Sequence, residues 1–358
     1  MATSNETGYD ALLLVSFGGP ERPEDVMPFL ENVVRGKQVP RERLLEVAEH
    51  YYQSGGVSPI NEQNRALLAA LSVELSEHGP RLPIYWGNRN WHPLLADTLR
   101  QMADDGVRRA LAFFTSAYSS YSSCRQYREN IAAAQQEVGP SAPQIDKLRA
   151  YFNHPGFIEP MTERVRSAYE KIPADRRAAA TLLFTAHSIP QSMADTSQYE
   201  PQLREASRLV ADALGHPVWR LVYQSRSGPP TQPWLEPDVR DALRELAAAG
   251  QRDLGPRDVV VAPIGFISDH LEIVYDLDTE AQEVAQELGI NMVRAGAVGV
   301  HPRFVTMIRE LVQERLQAEQ TGTTSERPAV GTLGASHDAC PLDCCPAPHR
   351  PSPRGPAH

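Results

Sequence analysis

The sequence lacks the features that would commit it to a membrane, to nucleic acid or to an oxidising compartment. No apolar run approaches the roughly 20 residues of a spanning helix. The first run, Ala11 to Val15, is too short for a secretory signal as well, and the preceding Met1 to Asp10 is polar and carries no basic residue. Basic residues are outnumbered, 35 Lys and Arg against 45 Asp and Glu, for a net charge of −10. That leaves no excess to neutralise phosphates and argues against a nucleic-acid partner. Cysteine is scarce, with only four in 358 residues, and in a cytoplasmic chain these are not a disulfide framework. No G-x-G-x-x-G follows a strand pattern, and neither a P-loop nor a zinc-protease signature occurs, so nicotinamide, nucleotide and zincin chemistry have no motif to rest on. What remains is a cytoplasmic enzyme, 41% apolar and 22% charged, long enough for two domains with sizeable cores.

Short apolar runs alternate with helical patterns, several of which stop at glycine. In the first half, Asp10–Phe17, Leu82–Trp86 and Arg109–Phe114 read as strands. The segments 25–35, 41–52, 62–78 and 92–105 read as helices, and another runs from a Ser/Tyr-rich loop to about Val138. Gly139-Pro-Ser-Ala-Pro143 then breaks the pattern. The second half repeats the plan, with strands at 180–185, 217–223, 259–264 and 291–295 between helices. This alternation predicts an α/β protein of two doubly wound, Rossmann-like parallel-sheet domains with a cleft between them, and ligands beyond the carboxyl ends of the strands. The repeat extends to detail. Leu12-Leu-Leu-Val-Ser-Phe-Gly-Gly-Pro20 and Leu182-Leu-Phe-Thr-Ala-His-Ser-Ile-Pro190 both run a strand into a small-residue turn and a proline. The second of them delivers His187 to the rim of its sheet.

The most informative stretch is Pro263 to Asp278. The unbroken apolar run Val259–Ala262 reads as a buried parallel strand. After it come Gly265 and a helical pattern that opens with Asp269, His270 and Glu272. Glu272, Asp276 and Glu280 recur at steps of four, one acidic stripe on a helix. Carboxylates so spaced repel one another, and a bound cation relieves the repulsion. Imidazole with carboxylate suits borderline divalent metals such as ferrous iron. The same pattern also describes a solvated helix face with acids near its N-terminus, where the dipole favours them.

Taken together, Thr185-Ala-His-Ser-Ile-Pro190 and Gly265-Phe-Ile-Ser-Asp-His-Leu-Glu272 make the chain resemble the ferrochelatases, and within them the actinobacterial type that acts on coproporphyrin III. Leu14-Val-Ser-Phe-Gly-Gly-Pro20, Gly55-Gly-Val-Ser-Pro59, Gly87-Asn-Arg-Asn-Trp91 and Gln224-Ser-Arg-Ser-Gly-Pro-Pro230 extend the likeness over residues 10 to about 315. The resemblance implies a class II chelatase-like fold. It implies an N-terminal domain over 8–150 that forms the porphyrin wall, a C-terminal domain over 151–320 with the metal-facing groups and a last helix packing back on the first, and an irregular cysteine-bearing tail over 321–358. The implied activity is insertion of ferrous iron, itself a substrate, into coproporphyrin III in haem biosynthesis.

Within that activity His187 is the base facing the pyrrole nitrogens and Glu272 its partner on the metal, an open pair unlike a four-ligand structural site. Asp276 and Glu280 continue the carboxylate line toward solvent. Phe17, Arg35, Tyr51, Ser58 and Tyr127 line the macrocycle or its propionates, though Ser58 also reads as a turn serine and Tyr127 as a helix-face aromatic. The firmicute type has tyrosine where Phe17 stands, so no phenol oxygen is offered there. Arg35, Arg41, Arg43, His50, Arg125 and Arg128 cluster around the same motifs, where extra propionates would need cations. The resemblance also suggests a monomer. A chelatase for another metal, or a tetrapyrrole-binding or iron–sulfur sensor protein that does no insertion, are the competing readings.

Cys340, Cys344 and Cys345 cluster in the tail, and Cys124 lies in the Ser/Tyr loop. Four thiolates make one [2Fe–2S] cluster. Three can anchor zinc with one further ligand, and unligated thiols are the plain alternative. The resemblance, one internal cysteine plus three near the C-terminus, implies the cluster.

Overall fold

In the computed structural model residues 8–37, 39–229, 231–249, 257–322 and 327–348 are described. Each apolar run buries itself as a central strand. The first, β1 (Ala11–Ser16), is buried along its whole length. It lies between β2 (Ile84–Asn88) and β3 (Arg109–Phe114), and β4 (Gln144–Lys147) closes the edge, giving a parallel sheet of order β2-β1-β3-β4. The second half repeats this order: β5 (Thr181–His187) and β7 (Arg257–Ala262) are central, β6 (Trp219–Gln224) and β8 (Ile290–Arg294) flank them, and the order is β6-β5-β7-β8. In each sheet the connections change direction at the first strand of its half. The carboxyl ends of β1 and β5 therefore sit at the switch points where doubly wound sheets bind ligands.

One apolar core runs through both halves. Leu12, Leu14 and Phe113 of the first sheet and Phe184, Val260 and Ala262 of the second belong to the same cluster as Phe157, Met161, Phe304 and Ile308. The last four lie on helices Pro155–Glu170 and Pro302–Thr321. The final helix packs against helix Ile60–His78 of the first half as well as against Pro155–Glu170. It is also tied by Arg309 to Glu74 at 2.7 Å and by Glu314 to the buried Arg149 at 2.8 Å. No described helix is long and apolar enough to cross a membrane.

The structure departs from the sequence reading at one strand. Gln144–Lys147 has a single apolar residue, Ile145, and shows no period, yet it pairs with β3. Its place is fixed by polar contacts instead: Asp146 accepts from the Tyr9 hydroxyl at 2.8 Å and from Arg109 at 2.7 Å. The break at Gly139–Pro143 is thus a turn within the first sheet and not the junction between the halves. The helix stop at Gly250, the last proline of the Gln224–Pro230 motif, and residues 1–7, 323–326 and 349–358 lie outside the described residues.

Candidate active site

His187 is the last residue of β5, and strand geometry turns it out of the sheet edge, half-buried at the switch point. Two backbone features set it there. Its own carbonyl accepts from the buried Tyr199 hydroxyl at 3.0 Å, and its Nδ1 lies 2.5 Å from the Ser188 carbonyl oxygen. That contact fits an Nδ1–H tautomer, leaving Nε2 free to accept. Gly265 lets the loop after β7 pass directly over the same strand. A Cβ there would come within 2.6 Å of Ala186 Cβ, and the Gly265 amide donates to Thr185 O at 3.0 Å. The loop then brings Glu272 to within 3.9 Å of His187, carboxylate Oε2 to imidazole Nε2, with both side chains partly open to solvent.

The acidic stripe stands on an unusual helix. A short α-turn, Leu271–Ile273, runs into a π-helix over Val274–Ala281 and returns to α over Gln282–Glu287. A π-helix is rare and concentrates at functional sites. Its wider turn keeps residues four apart nearly in line, so Glu272, Asp276 and Glu280 form one row. Burial pushes the Asp276 carboxyl up to about 7, with the charges of Glu272 and Glu280 adding to the rise and a hydrogen bond from Ser225 opposing it. Ser225 reaches Asp276 from a left-handed backbone, φ 61°, a conformation costly for a non-glycine residue. Gln224 Nε2 also donates to Asp276 at 3.3 Å. Glu280 ends the row paired with Arg240 at 3.0 Å.

The facing wall comes from the first half. Phe17, just beyond β1, and Tyr51 both pack edge-on against Phe29, at 6.1 and 5.8 Å. Burial and the nearby charge of Glu272 hold the Tyr51 phenol well above its ordinary range, so it stays protonated beside the His187–Glu272 pair. Three contacts join the walls: Tyr118 Oη donates to Ile264 O at 2.8 Å, Gln63 Nε2 donates to Asp269 O at 2.7 Å, and His50 stacks on Tyr275 at 4.1 Å.

The other expected wall residues are placed differently. Tyr127 is buried in the core behind the first sheet, its ring covered by the Arg89 guanidinium at 4.5 Å. The same guanidinium lies 5.5 Å from the Phe17 ring and donates to Asn130 at 2.7 Å. Sequence reasoning quoted the motif that holds Arg89 without giving the residue a role. Ser58 is buried in the turn against Gly19. Arg35 is exposed and bonded to Asn32. Arg125, expected among the propionate-side cations, turns away from the cleft to Glu129 and to the carbonyls of Leu342 and Cys344. Ser225 and Tyr199, which hold Asp276 and His187, were missed too. Ser225 lay in a quoted motif, whereas Tyr199 carried no signal.

The four cysteines meet. Cys345 is buried and takes a left-handed φ of 51°, which lets adjacent residues turn both thiols inward, Cys344 Sγ to Cys345 Sγ 3.7 Å. Cys124, on a π-turn over Tyr121–Arg125, contacts Cys340 and Cys345. A bond with Cys340 favours the Cys124 thiolate, but Cys345 and burial outweigh it and push the thiol up to about 11. Cys340 is pushed up to about 12 by its bond with Cys124 and by burial, and burial also raises Cys344. Burial raises all three, the thiol contacts act in both directions and the Lys147 charge opposes the rise; four convergent thiols are a donor set that fits a metal cluster.

Comparisons with known proteins identify the family. A family model described as Ferrochelatase matches residues 9–316. The chain is 61% identical over 337 residues to a protein of Rhodopirellula baltica named Ferrochelatase, covering 94% of this chain and 93% of that one. It is 55% identical over 358 residues to the Coproporphyrin III ferrochelatase of Streptomyces coelicolor, covering 95% and 94%. It is 49% identical to the protein of that name in Mycolicibacterium smegmatis, covering 95% and 98%. Among solved structures, SirB from Bacillus subtilis with Fe3+ superposes with a TM-score of 0.51 at 12% identity, over 88% of this chain and 98% of that one, a likeness of fold alone. With the family model spanning the whole of both sheets, the chain belongs to the ferrochelatase family.

Proposed function

We propose that this chain inserts ferrous iron into coproporphyrin III to give its haem, and that His187 and Glu272 carry the step. The observation behind this is the 3.9 Å pair at the switch point of the second sheet, set against an aromatic wall. Insertion exchanges two pyrrole N–H protons for Fe2+. His187 Nε2 and Glu272 first hold the incoming metal, two protein ligands that grip iron loosely enough to release it to four macrocycle nitrogens. Once the iron has moved, the vacated Nε2 accepts a pyrrole proton, and the second pyrrole proton follows after the first has been passed on. Asp276, with a carboxyl pushed to about 7, exchanges protons readily at neutral pH and passes them along the row toward Glu280 and solvent. Phe17 and Tyr51 press on the macrocycle from the opposite side, with Ser58 beneath that wall. Arg89, laid over Tyr127, joins Arg35 as a partner for propionates.

Coproporphyrin III carries four propionates where protoporphyrin IX has two and a pair of vinyl groups. The preference rests on these cations and on relatives named for coproporphyrin III. One or two extra pairs give about 10- to 100-fold discrimination. The test is an anaerobic absorbance assay with ferrous iron, comparing kcat/KM for the two porphyrins. No haem formed from either would end the chelatase reading, and faster use of protoporphyrin IX would end only the specificity.

The same reading gives residues 8–150 the porphyrin wall, 151–320 the metal-facing groups and 321–358 the tail, in a cytoplasmic monomer. Sedimentation at micromolar concentration checks the last point. Cys124, Cys340, Cys344 and Cys345 would hold a [2Fe–2S] cluster, which supplies a stable, redox-active staple between tail and first sheet. It lies outside the insertion chemistry. Anaerobic protein should contain two irons and two sulfides per chain, and protein with zinc alone would refute the cluster.

A further inference from the structure

A [2Fe–2S] cluster takes four protein ligands, but the structure gathers five donors. His337 Nε2 lies 3.9 Å from Cys344 Sγ. The ligand atoms of His337, Cys340 and Cys344 all lie within 4.8 Å of one another. On a tetrahedral metal with bonds of ~2.3 Å, two sulfurs sit about 3.8 Å apart. The Cys344–Cys345 separation, 3.7 Å, already matches that, and the imidazole stands at a similar distance from Cys344.

The five are not equivalent. Cys345 is buried, and Cys124 is fixed in its π-turn within the first half. Cys344 is half-buried and His337 exposed, so the outer edge of the site is where two donors compete. His337 is no loose surface residue. Its carbonyl accepts from Lys147 Nζ at 3.2 Å, and its neighbour Asp338 is bound by Arg327. Cys344 is held the same way, its carbonyl taking a bond from Arg125 at 3.1 Å. Two first-half cations thus hold the backbone of both competing residues against the same spot.

We propose that His337 and Cys344 share one coordination position, so that the site can hold its cluster with either four thiolates or three thiolates and the His337 imidazole. This rests on the cluster reading above. Exchanging a thiolate for a neutral imidazole makes the cluster easier to reduce, so the outer position sets the potential while Cys124 and Cys345 set retention.

The test uses the full chain, purified anaerobically. Cys344→Ala should keep most of its iron and sulfide, gain nitrogen hyperfine coupling in pulsed EPR of the reduced protein, and shift its potential upward. Cys345→Ala and the double variant Cys344→Ala/His337→Ala should both be empty. A folded Cys344→Ala protein as empty as Cys345→Ala, or one that keeps its cluster without nitrogen coupling, overturns the proposal. His337→Ala alone gives a measurement that does not depend on Cys344→Ala folding. It should lose iron to a chelator about 10-fold faster than the parent, and an unchanged rate overturns the proposal. Absence of iron and sulfide from the unmodified chain would instead remove the cluster reading beneath it.

Discussion

The cleft and the cysteine site both gather donors suited to iron, and they are built on opposite principles. In the cleft, one imidazole and one carboxylate stand 3.9 Å apart, each partly in water, with Asp276 and Glu280 following Glu272 at steps of four. At the tail, four thiols and an imidazole crowd together, and burial with mutual contact pushes the thiols up to about 11 and 12. Few ligands in an open setting bind weakly and release. Many soft ligands in a closed setting bind tightly and stabilise the segment that supplies them. On the proposed reading iron passes through the first and is kept at the second, and the two lie apart: the cleft pair belongs to the second sheet's half, and the thiols join the tail to the Ser/Tyr loop after β3.

The sharpest way to break the contrast is at His187. Changing it to alanine should lower insertion by about 10²- to 10⁴-fold, the range for a positioned base, and leave thermal unfolding within a degree or two of the parent. Its side chain is partly exposed, and the Tyr199 contact is to its backbone. Steady-state haem formation with a melting curve on the same sample checks both, and near-normal turnover would remove His187 from the reaction.

The mirror experiment is Cys124→Ser. It should lose the iron and sulfide and lower Tm by several degrees, because the staple between tail and first sheet goes with the metal. Haem formation below the new Tm should fall far less than in the His187 variant. If the two variants lost activity equally, the separation of transit from retention would fail.

What could be read from the sequence follows the same division. His187 was legible because it ends an apolar run at the carboxyl edge of a parallel sheet, where a polar residue meets ligands, whereas Glu272 stands on a helix ten residues past the next run and was paired with His187 through the family resemblance. The step-of-four acids were legible as a row, but not as a π-helix, since an i→i+5 pattern leaves no residue signature over two turns. The row's distinctive chemistry, the raised carboxyl of Asp276, depends on burial and on Ser225 arriving from a strand 51 positions away, which no local pattern records. β4 was hidden because Asp146 and its partners hold an edge that hydrophobic periodicity does not mark. Tyr127 was a wall residue by the family resemblance and a helix-face aromatic by its pattern; the ring packs in the core and Arg89 covers it. The cysteines were legible as a group by count alone. His337 was not, since nothing in spacing separates it from other tail residues.

Asp276→Asn sharpens the contrast from the side of charge. The folded carboxyl is raised from 3.8 to about 7. Its stabilising contribution is therefore complete below pH ~4 and drains away as pH rises through about 7. Asparagine does not titrate, so the variant should gain on the parent across that interval. At 1.36 kcal/mol per unit the ceiling is about 4 kcal/mol, and partial solvent access brings the expected gain at pH 8 to about 2 kcal/mol. Insertion should fall about 10-fold, as a proton carrier is lost. Melting curves at pH 5 and pH 8 check the sign, and a variant less stable than the parent at pH 8 would contradict the burial argument.

The smallest effect is expected at Tyr199, a positioning residue that touches no reactant. Its buried hydroxyl donates to the His187 carbonyl at 3.0 Å, and its ring meets Tyr118 edge-on at 6.1 Å. Tyr118 in turn bonds across to Ile264 O and, through its own carbonyl, to Ser123, the neighbour of Cys124. Tyr199→Phe removes one bond and keeps the ring, so about 1 kcal/mol is at stake. If that bond fixes the angle of the imidazole, the loss should fall on kcat by about fivefold, with KM for the porphyrin unchanged. A purely structural role would lower Tm and leave kcat alone. Measured with and without Cys124→Ser, the variant also tests the separation of the two sites. Effects that multiply mean independent regions, whereas a Tyr199→Phe effect that vanishes in the cluster-free background would mean that the two communicate through the Tyr118–Tyr199 contact.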